Sequence, residues 1–235
     1  MCDIEDVGVK RMLEEIIQPE KGTNLRKNGQ EELTILIDSK ALKKIFLING
    51  TTFFTQNLSA SNLVVKPNDY YMVINKGDDK INLKYSSDVS SHIVIYEPYM
   101  YESSKKENFD PIRFSKKYNI PDGYIDTLAK WYSIKFTYPD YNLIFIKPKI
   151  GISIQTHKFR SETWKVLKGK PIIINGNKVQ YFVKNGIEFL NAKMTYHSVI
   201  NPNNNPEQFV LIEEKWSGEF DEEDIIRVFN PNNYH

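Results

Sequence analysis

The 235-residue sequence lacks the features of disulfide-rich, membrane-spanning and nucleic-acid-binding proteins. Its only cysteine is Cys2, which excludes an intrachain disulfide and fits a reducing compartment. No apolar run approaches the roughly 20 residues of a membrane-spanning helix, and no signal-peptide segment is evident. The 31 basic and 30 acidic residues nearly cancel, without a basic stripe carrying interleaved aromatic residues. We therefore expect a cytoplasmic protein with no nucleic-acid or membrane partner.

What the sequence does contain is short strand-like segments in two blocks. The first block extends from Leu33 to Tyr96 and the second from Leu143 to Glu214. Turn-forming dipeptides punctuate the blocks, at Asn49-Gly50, Pro67-Asn68, Gly77-Asp78, Asn175-Gly176 and Asn185-Gly186. Closely spaced short strands predict an all-β fold of the sandwich or barrel type.

Helical spacing occurs only outside the two strand blocks. We predict a leading amphipathic helix at Ile4–Ile17, where apolar residues recur at helical spacing. Pro111 begins a second helical region, which Ile125, Leu128 and Ala129 continue. The acidic and then apolar segment 221–228 predicts a short helical turn.

The polar stretch Glu102–Asn108 marks the best domain boundary. Residues 1–105 would form an N-terminal β domain with the short leading helix. Residues 106–132 would form a helical linker, and residues 133–235 a C-terminal β domain.

Two of the four histidines fall in spaced motifs within the second block. Gly151, His157, Glu162 and Gly169 read G-x5-H-x4-E-x6-G, and the second motif reads G-x10-H-x3-N from Gly186 through His197 to Asn201. Strand alternation places Gln155, His157 and Phe159 on one face if residues 152–159 form a regular strand. We expect a bend at Arg160-Ser161, which would let Glu162 return to the same cavity from the next strand.

These side chains would give a mixed nitrogen and oxygen ligand set. We expect the imidazoles of His157 and His197, the Glu162 carboxylate and the Gln155 amide oxygen to converge. Such a set suits Zn, Mn, Fe, Co or Ni, and the ligand types alone do not choose among them. An isolated histidine more often packs in a core, but two at matched motif positions favour the cavity.

The two motifs form the pattern of cupin barrels, and Gly151–Gly169 resembles the C-terminal cupin domain of type II mannose-6-phosphate isomerases. Further elements follow in the family's order, at Lys130-Trp131, Asn201-Pro202, Phe209–Glu213 and Gly218–Arg227. The resemblance covers residues 130–235 and implies a C-terminal cupin barrel. The first block carries no recognisable ligand pattern, so it is either another kind of β domain or a degenerate cupin, which would make the chain bicupin-like.

The resemblance implies a sugar-phosphate isomerase with a divalent metal held by Gln155, His157, Glu162 and His197. The metal would polarise the substrate carbonyl while a base moves a proton between C1 and C2. Candidates for the base are Glu162, if it is not bound to metal, and Lys165. Arg160 and Lys130 are candidates for the phosphate, and Arg160 is also a candidate catalytic residue. Trp164 is a candidate for stacking on the sugar, with core packing as the alternative.

Departures from the family pattern keep two other functions open. Phe159 replaces the second histidine of the first motif, Thr163 replaces the histidine after the glutamate, and Ser198 replaces a basic residue. The chain could be a metal-free isomerase or epimerase of nucleotide sugars, with His157 or His197 as base. It could also be a cupin without catalysis that binds a sugar or serves assembly. We expect a homodimer, because cupins often dimerise through strand exchange.

Overall fold

The computed structural model describes residues 13–55, 58, 61–219 and 224–232, and most of their regular structure is β. Two 3₁₀ helices lie in the first half, at Ser39–Lys44 and Val89–Ser91. The strands of this half are β1 (Leu13–Ile17), β2 (Leu25–Lys27), β3 (Leu33–Ile37), β4 (Ile45–Asn49), β5 (Thr52–Phe54), β6 (Asn62–Val65), β7 (Tyr70–Asn75), β8 (Ile81–Tyr85) and β9 (Ile93–Tyr96).

The second half begins with helix α1 (Pro111–Tyr118) and continues with strands. These are β10 (Asp126–Ala129), β11 (Ser133–Thr137), β12 (Asn142–Ile146), β13 (Ile150–Gly151), β14 (Ile154–Thr156), β15 (Arg160–Lys168), β16 (Ile172–Asn175), β17 (Lys178–Gln180), β18 (Glu188–Asn191), β19 (His197–Asn201), β20 (Val210–Gly218) and β21 (Ile226–Phe229). Within the described ranges, no helix has both the length and the apolar character needed to cross a bilayer.

The strands form three antiparallel sheets. A four-stranded sheet has the order β1-β8-β3-β6, and a six-stranded sheet has the order β10-β11-β12-β20-β15-β18. An eleven-stranded sheet runs β21-β14-β19-β16-β17-β5-β4-β7-β2-β9, with β13 paired to β19. The pair Lys178–Thr52 joins β17 to β5, so the long sheet passes through both halves of the chain.

Strand β4 is apolar at four successive positions because both of its faces are buried. Ile45 and Leu47 pack in a core with residues of the four-stranded sheet. Phe46 and Ile48 pack in a second core that includes Ile174 and other residues of the C-terminal half. The two halves of the long sheet therefore pack against each other, and one smaller sheet closes the far side of each half.

The C-terminal barrel has its interior between the six-stranded sheet and the β14, β16 and β19 part of the long sheet. Its core includes Val166, Val199 and Ile212. Helix α1 covers the outer face of the six-stranded sheet, where Phe114 contacts Phe145. With its outer face covered in this way, the sheet presents its inner face to the barrel interior.

Three sequence-based helix predictions are wrong. Leu13–Ile17 is strand β1, which pairs with β8; the rest of the predicted helix Ile4–Ile17 lies outside the described residues. Asp126–Ala129 is strand β10, so the predicted linker 106–132 is not helical throughout. Ile226–Phe229 is strand β21, and residues 221–223 lie outside the described part. Pairing with a neighbouring strand overrides the local helical spacing in each case, and the domain limits themselves stay a prediction.

Gly218 lets the end of β20 pass over the loop that carries the first motif. It lies opposite Arg160, has a φ of +100°, and a Cβ built there would lie 2.5 Å from the backbone oxygen of Phe159. Gly123 has a similar φ of +92°, but among the described residues a Cβ there meets no atom within 4 Å. A comparison of Gly218 with Gly123 therefore separates the cost of backbone strain from the cost of the close contact.

We expect Gly218→Ala to lower the free energy of unfolding by about 3 kcal/mol, because it combines left-handed strain with a backbone clash. The control Gly123→Ala should cost about 1 kcal/mol, since only the strain applies. Urea denaturation measures both. Equal costs for the two variants would show that the close approach of β20 to Phe159 is absent.

Candidate metal centre in the C-terminal barrel

Three buried side chains converge inside the C-terminal barrel. His157 directly follows β14, Glu162 lies on β15, and His197 begins β19. Their exposed fractions are 2 %, 2 % and 1 %. One nitrogen of each imidazole and one oxygen of the carboxylate lie within 4.8 Å of one another. The two sequence motifs thus meet at one point of the fold.

The alternation of β15 sets the direction of Glu162. Glu162, Trp164 and Val166 are buried on the inner face, while Lys165 lies on the opposite face. The ammonium group of Lys165 forms a surface ion pair with Glu188 at 3.0 Å. The prediction of Lys165 as a catalytic base is therefore wrong, because it is an odd number of residues from Glu162 and points away from the cavity.

A short loop, held by Asp224, positions His157. The carboxylate of Asp224 accepts hydrogen bonds from the backbone N–H groups of Lys158 at 3.0 Å and Phe159 at 2.9 Å. Burial raises the pKa of Asp224, but these two donors outweigh it and hold the pKa below its usual value. Strand β14 ends before this loop, at Thr156, so Phe159 does not share a face with His157. Phe159 is 51 % exposed, so the expectation that it lies on one face with His157 is wrong.

Backbone carbonyls fix the tautomer of both imidazoles. Nδ1 of His157 lies 2.6 Å from the carbonyl oxygen of Asp224, and Nδ1 of His197 lies 2.9 Å from that of Thr195. A carbonyl oxygen can only accept, so each Nδ1 carries a proton and donates it. In the neutral rings, both Nε2 atoms therefore present lone pairs to the interior.

These lone pairs face the carboxylate of Glu162. Nε2 of His157 lies 3.1 Å from Oε1, and Nε2 of His197 lies 3.5 Å from Oε2. Oε2 of Glu162 and Nε2 of His197 have no hydrogen-bond partner among the described residues. Three buried acceptors that face one another repel unless a cation lies between them. A proton on Nε2 of His157 would satisfy one contact, and a metal ion would satisfy all three, so the donor set fits a metal.

The local pKa shifts agree with this arrangement. Burial lowers the pKa of His197 to about 4, which keeps the ring neutral at physiological pH. Burial raises the pKa of Glu162, but its interactions with His157 and His197 and the hydrogen bond from Arg160 outweigh it and lower the pKa to about 2. The site therefore offers an ionised carboxylate and at least one imidazole lone pair.

Arg160 supplies a second cation beside the three acceptors. Its Nε donates to Oε1 of Glu162 at 2.8 Å, and its Nη2 lies 3.4 Å from Nε2 of His157. The side chain is itself buried. Its guanidinium competes with a metal for Glu162 and balances the carboxylate charge when no metal is bound.

A cavity of about 110 Å³ opens next to this cluster. Arg160 and Glu162 line it, whereas the two imidazoles lie behind them and are not part of its lining. Its other polar lining residues are Lys130, Tyr132, Ser133, Lys135, Ser153, Gln155, Glu214 and Arg227. Four cationic side chains thus surround an opening that leads to the cluster.

Two predicted site residues stand apart from the cluster. Gln155 lies on the cavity wall and opposite His197, but its Oε1 accepts a hydrogen bond from Ser153 Oγ at 2.8 Å, so it would have to exchange this bond to bind a metal. Trp164 is only 1 % exposed and does not line the cavity. It packs its edge against the ring of His197, so stacking on a substrate is the wrong interpretation and core packing is correct.

Glu214 is a cavity residue that the sequence reasoning missed. It lies on the inner face of β20, next to the Trp164 of β15, and lines the cavity. The signal was present in the sequence, since Val210, Ile212 and Glu214 occupy alternate positions of one strand. An apolar face that ends in a carboxylate indicates an acid directed into the interior.

Comparison with known proteins connects this barrel to a family. Residues 125–230 match the family model described as mannose-6-phosphate isomerase C-terminal. A search of curated proteins found no match.

Similar solved structures include two oxalate decarboxylases. A variant of the Bacillus subtilis enzyme is 8 % identical, with 92 % of this chain and 70 % of that chain covered and a TM-score of 0.35. The Lactobacillus farciminis enzyme in a formate complex is 8 % identical, with 91 % and 78 % covered and a TM-score of 0.36. A protein from Planctomyces limnophilus is 12 % identical, with 43 % and 88 % covered and a TM-score of 0.32.

The predicted all-β architecture, with a second β domain before the C-terminal barrel, is confirmed. The second half of the chain forms a β barrel, and residues 125–230 are similar to the C-terminal domain of mannose-6-phosphate isomerase.

Proposed function

We propose that this protein is a metal-dependent sugar-phosphate isomerase similar to mannose-6-phosphate isomerase. The observation that carries the proposal is the cluster of His157, Glu162 and His197, whose buried acceptor atoms face one another beside a cavity lined by cations. Aldose–ketose interconversion needs an electrophile at the carbonyl and a group that moves a proton between neighbouring carbons. A metal in the cluster and an acid–base residue on the cavity wall would meet both needs.

The metal would be held by Nε2 of His157, Nε2 of His197 and the carboxylate of Glu162, with Gln155 as a possible fourth ligand. Zn, Mn, Fe, Co and Ni all accept such a set. When bound, the metal supplies Lewis-acid polarisation of the substrate carbonyl. The carbonyls of Asp224 and Thr195 orient the two rings for this purpose.

The phosphate of the substrate would bind at the basic side of the cavity. Lys130 follows β10, Lys135 lies on β11 and Arg227 on β21, so cations from three strands surround the opening. Ammonium and guanidinium groups both suit a phosphate, the latter through paired hydrogen bonds. Arg160, which we predicted as a phosphate or catalytic residue, donates to Glu162 and keeps that carboxylate ionised. Its direct contact with the substrate stays a prediction.

A second candidate is a metal-free isomerase or epimerase of nucleotide sugars. The contact between Arg160 and Glu162 favours it, because the guanidinium already balances the carboxylate charge. The position of the imidazoles speaks against it, since a histidine base would have to reach substrate from behind Arg160 and Glu162.

The homodimer and the cytoplasmic location stay predictions.

Metal binding should stabilise the protein measurably. After treatment with a chelator, adding the preferred metal at about 100 times its dissociation constant should raise the free energy of unfolding by about 2.7 kcal/mol. His197→Ala should abolish this increase, whereas His92→Ala, in the N-terminal half, should retain it. Differential scanning calorimetry with Zn, Mn, Fe, Co and Ni measures the effect. If no metal shifts the unfolding transition of the wild-type protein, the metal-dependent function is wrong.

Isomerase activity should depend on the same cluster. We expect the metal-loaded protein to convert mannose 6-phosphate to fructose 6-phosphate in a coupled assay. We expect His197→Ala to lower kcat/KM by about 100-fold or more, because it removes a metal ligand. Turnover that survives complete metal removal would favour the metal-free candidate, and no turnover of any sugar phosphate would favour a cupin that only binds.

Lys130→Ala should weaken substrate binding without removing the chemistry. The loss of one cation beside the phosphate should raise KM by about tenfold and leave kcat within about twofold. Lys165→Ala is the matched control, because it removes the same charge from the outer face of the same sheet and should leave both constants unchanged. Equal effects of the two substitutions would show that the basic side of the cavity does not bind the phosphate.

A further inference from the structure

A second carboxyl group lies in the cavity beside Glu162. Glu214 is 7 % exposed and lines the cavity from the inner face of β20. Its Oε1 accepts a hydrogen bond from Asn142 Nδ2 at 2.8 Å, and its Oε2 accepts one from Trp164 Nε1 at 2.9 Å. Glu214 pairs with Asn142 on β12 and with Trp164 on β15, so three adjacent strands fix its position.

The charged groups around Glu214 come from several elements. Glu162 on β15 is the neighbouring acid, and Lys135 on β11 is the cation whose charge most affects it. The cavity also exposes Lys130, Arg160 and Arg227. Glu162 and Lys135 act on Glu214 through space, whereas its two direct hydrogen-bond partners, Asn142 and Trp164, are neutral.

The two acids differ in their capacity to exchange a proton. Glu162 faces two imidazoles and a guanidinium, which hold it ionised. Glu214 accepts bonds from neutral donors only, and burial, with the negative charge of Glu162, raises its pKa to about 7. When two neighbouring carboxyls have very different pKa values, one can exchange protons as an acid or base while the other stays ionised and stabilises charge.

We propose that Glu214 is the group that carries the substrate proton between C2 and C1; this assignment rests on the proposed isomerase function. The Glu214 carboxylate removes the proton from C2 of the aldose. The electron pair of that C–H bond forms the C1–C2 double bond, and the π electrons of the carbonyl move to O1, which gives an enediolate. Glu214 then returns its proton to C1, where the π electrons of the C1–C2 double bond form the new C–H bond. The hydroxyl proton of O2 passes through solvent to O1, and the electron pair of the O2–H bond becomes the π bond of the ketose carbonyl. No oxidant or reductant is needed.

The other candidates for this step are less well placed. Lys165 points to the outer face, and the two imidazoles lie behind the cavity wall. Glu162 is occupied by the guanidinium of Arg160. Glu214 is therefore the cavity carboxyl that can both lose and regain a proton near neutral pH.

Glu214→Gln tests the assignment, with Glu213→Gln as a matched control. Glu213 is the preceding residue of β20 and lies on its opposite, half-buried face. We expect Glu214→Gln to lower kcat by about 100-fold or more, with metal content unchanged and KM within about threefold. We expect Glu213→Gln to stay within about twofold of wild type. In D₂O, the wild-type protein should place solvent deuterium at C1 of the product, and Glu214→Gln should lose this incorporation in proportion to its rate.

The pH dependence gives a readout that a purely structural role would not change. Because the base must be ionised, wild-type kcat/KM should rise through about pH 7, and Glu214→Asp, which keeps a carboxyl, should retain part of the activity and this rise. Glu214→Gln should lack the rise.

A carboxyl whose pKa is higher in the folded state than in the unfolded state makes its full contribution to stability below the unfolded pKa. It loses this contribution as the pH rises through the folded pKa. The melting temperature of Glu214→Gln relative to wild type should therefore increase between pH 5 and 8.

Three results distinguish a failure of the proposed isomerase function from a failure of the Glu214 assignment. If the metal-loaded wild-type protein turns over no sugar phosphate, the proposed function falls and the assignment falls with it. If the wild-type protein is active and Glu214→Gln matches Glu213→Gln, the assignment alone is overturned. A wild-type profile without a rise near neutral pH overturns it as well, even if neither substitution at position 214 yields folded protein.

Discussion

The candidate site depends on two hydrogen bonds from imidazole N–H groups to backbone carbonyls. Asp224 and Thr195 each accept the Nδ1 proton of one histidine, and each bond turns the Nε2 lone pair of that ring toward Glu162. Without them either ring could turn its N–H inward, and the carboxylate would be satisfied by ordinary hydrogen bonds. With them, three acceptors meet in a buried space, where an unpaired polar atom costs about 1–3 kcal/mol. The requirement for a cation follows from this constraint rather than from the residue types alone.

Two cations can meet that requirement, and the chain already contains one of them. The guanidinium of Arg160 bonds to Glu162 and approaches His157, so the fold is electrostatically compensated before any metal binds. Oε2 of Glu162 has no hydrogen-bond partner among the described residues, so a metal can bind there while Arg160 stays on Oε1. The guanidinium would remain on the wall of the cavity, among the cations that favour an anionic substrate.

Much of this arrangement could be predicted from the sequence. The strand period and the two spaced motifs indicate that His157, Glu162 and His197 meet, and the structure brings them together. The same alternation puts Lys165 on the outer face of its strand and Glu214 on the inner face of its strand. The choice of Lys165 as a base and the omission of Glu214 both came from not following the alternation along the whole strand. The role of Asp224 in positioning His157 could not be predicted from the sequence, because Asp224 acts partly through its backbone carbonyl and lies 67 positions away. The helix predictions failed at β1, β10 and β21, since a few apolar residues at helical spacing also suit a short strand whose partner is distant in sequence.

A crystal structure of metal-supplied protein, with anomalous diffraction recorded at the absorption edge of the metal, tests the requirement for a cation. We expect one anomalous peak about 2.0–2.2 Å from Nε2 of both histidines and from a carboxylate oxygen of Glu162. A map without a peak, in which Arg160 still bonds to Glu162 at saturating metal, would contradict it. The carboxylate of Glu162 would then be compensated by Arg160 alone, and the metal-dependent isomerase would have no site.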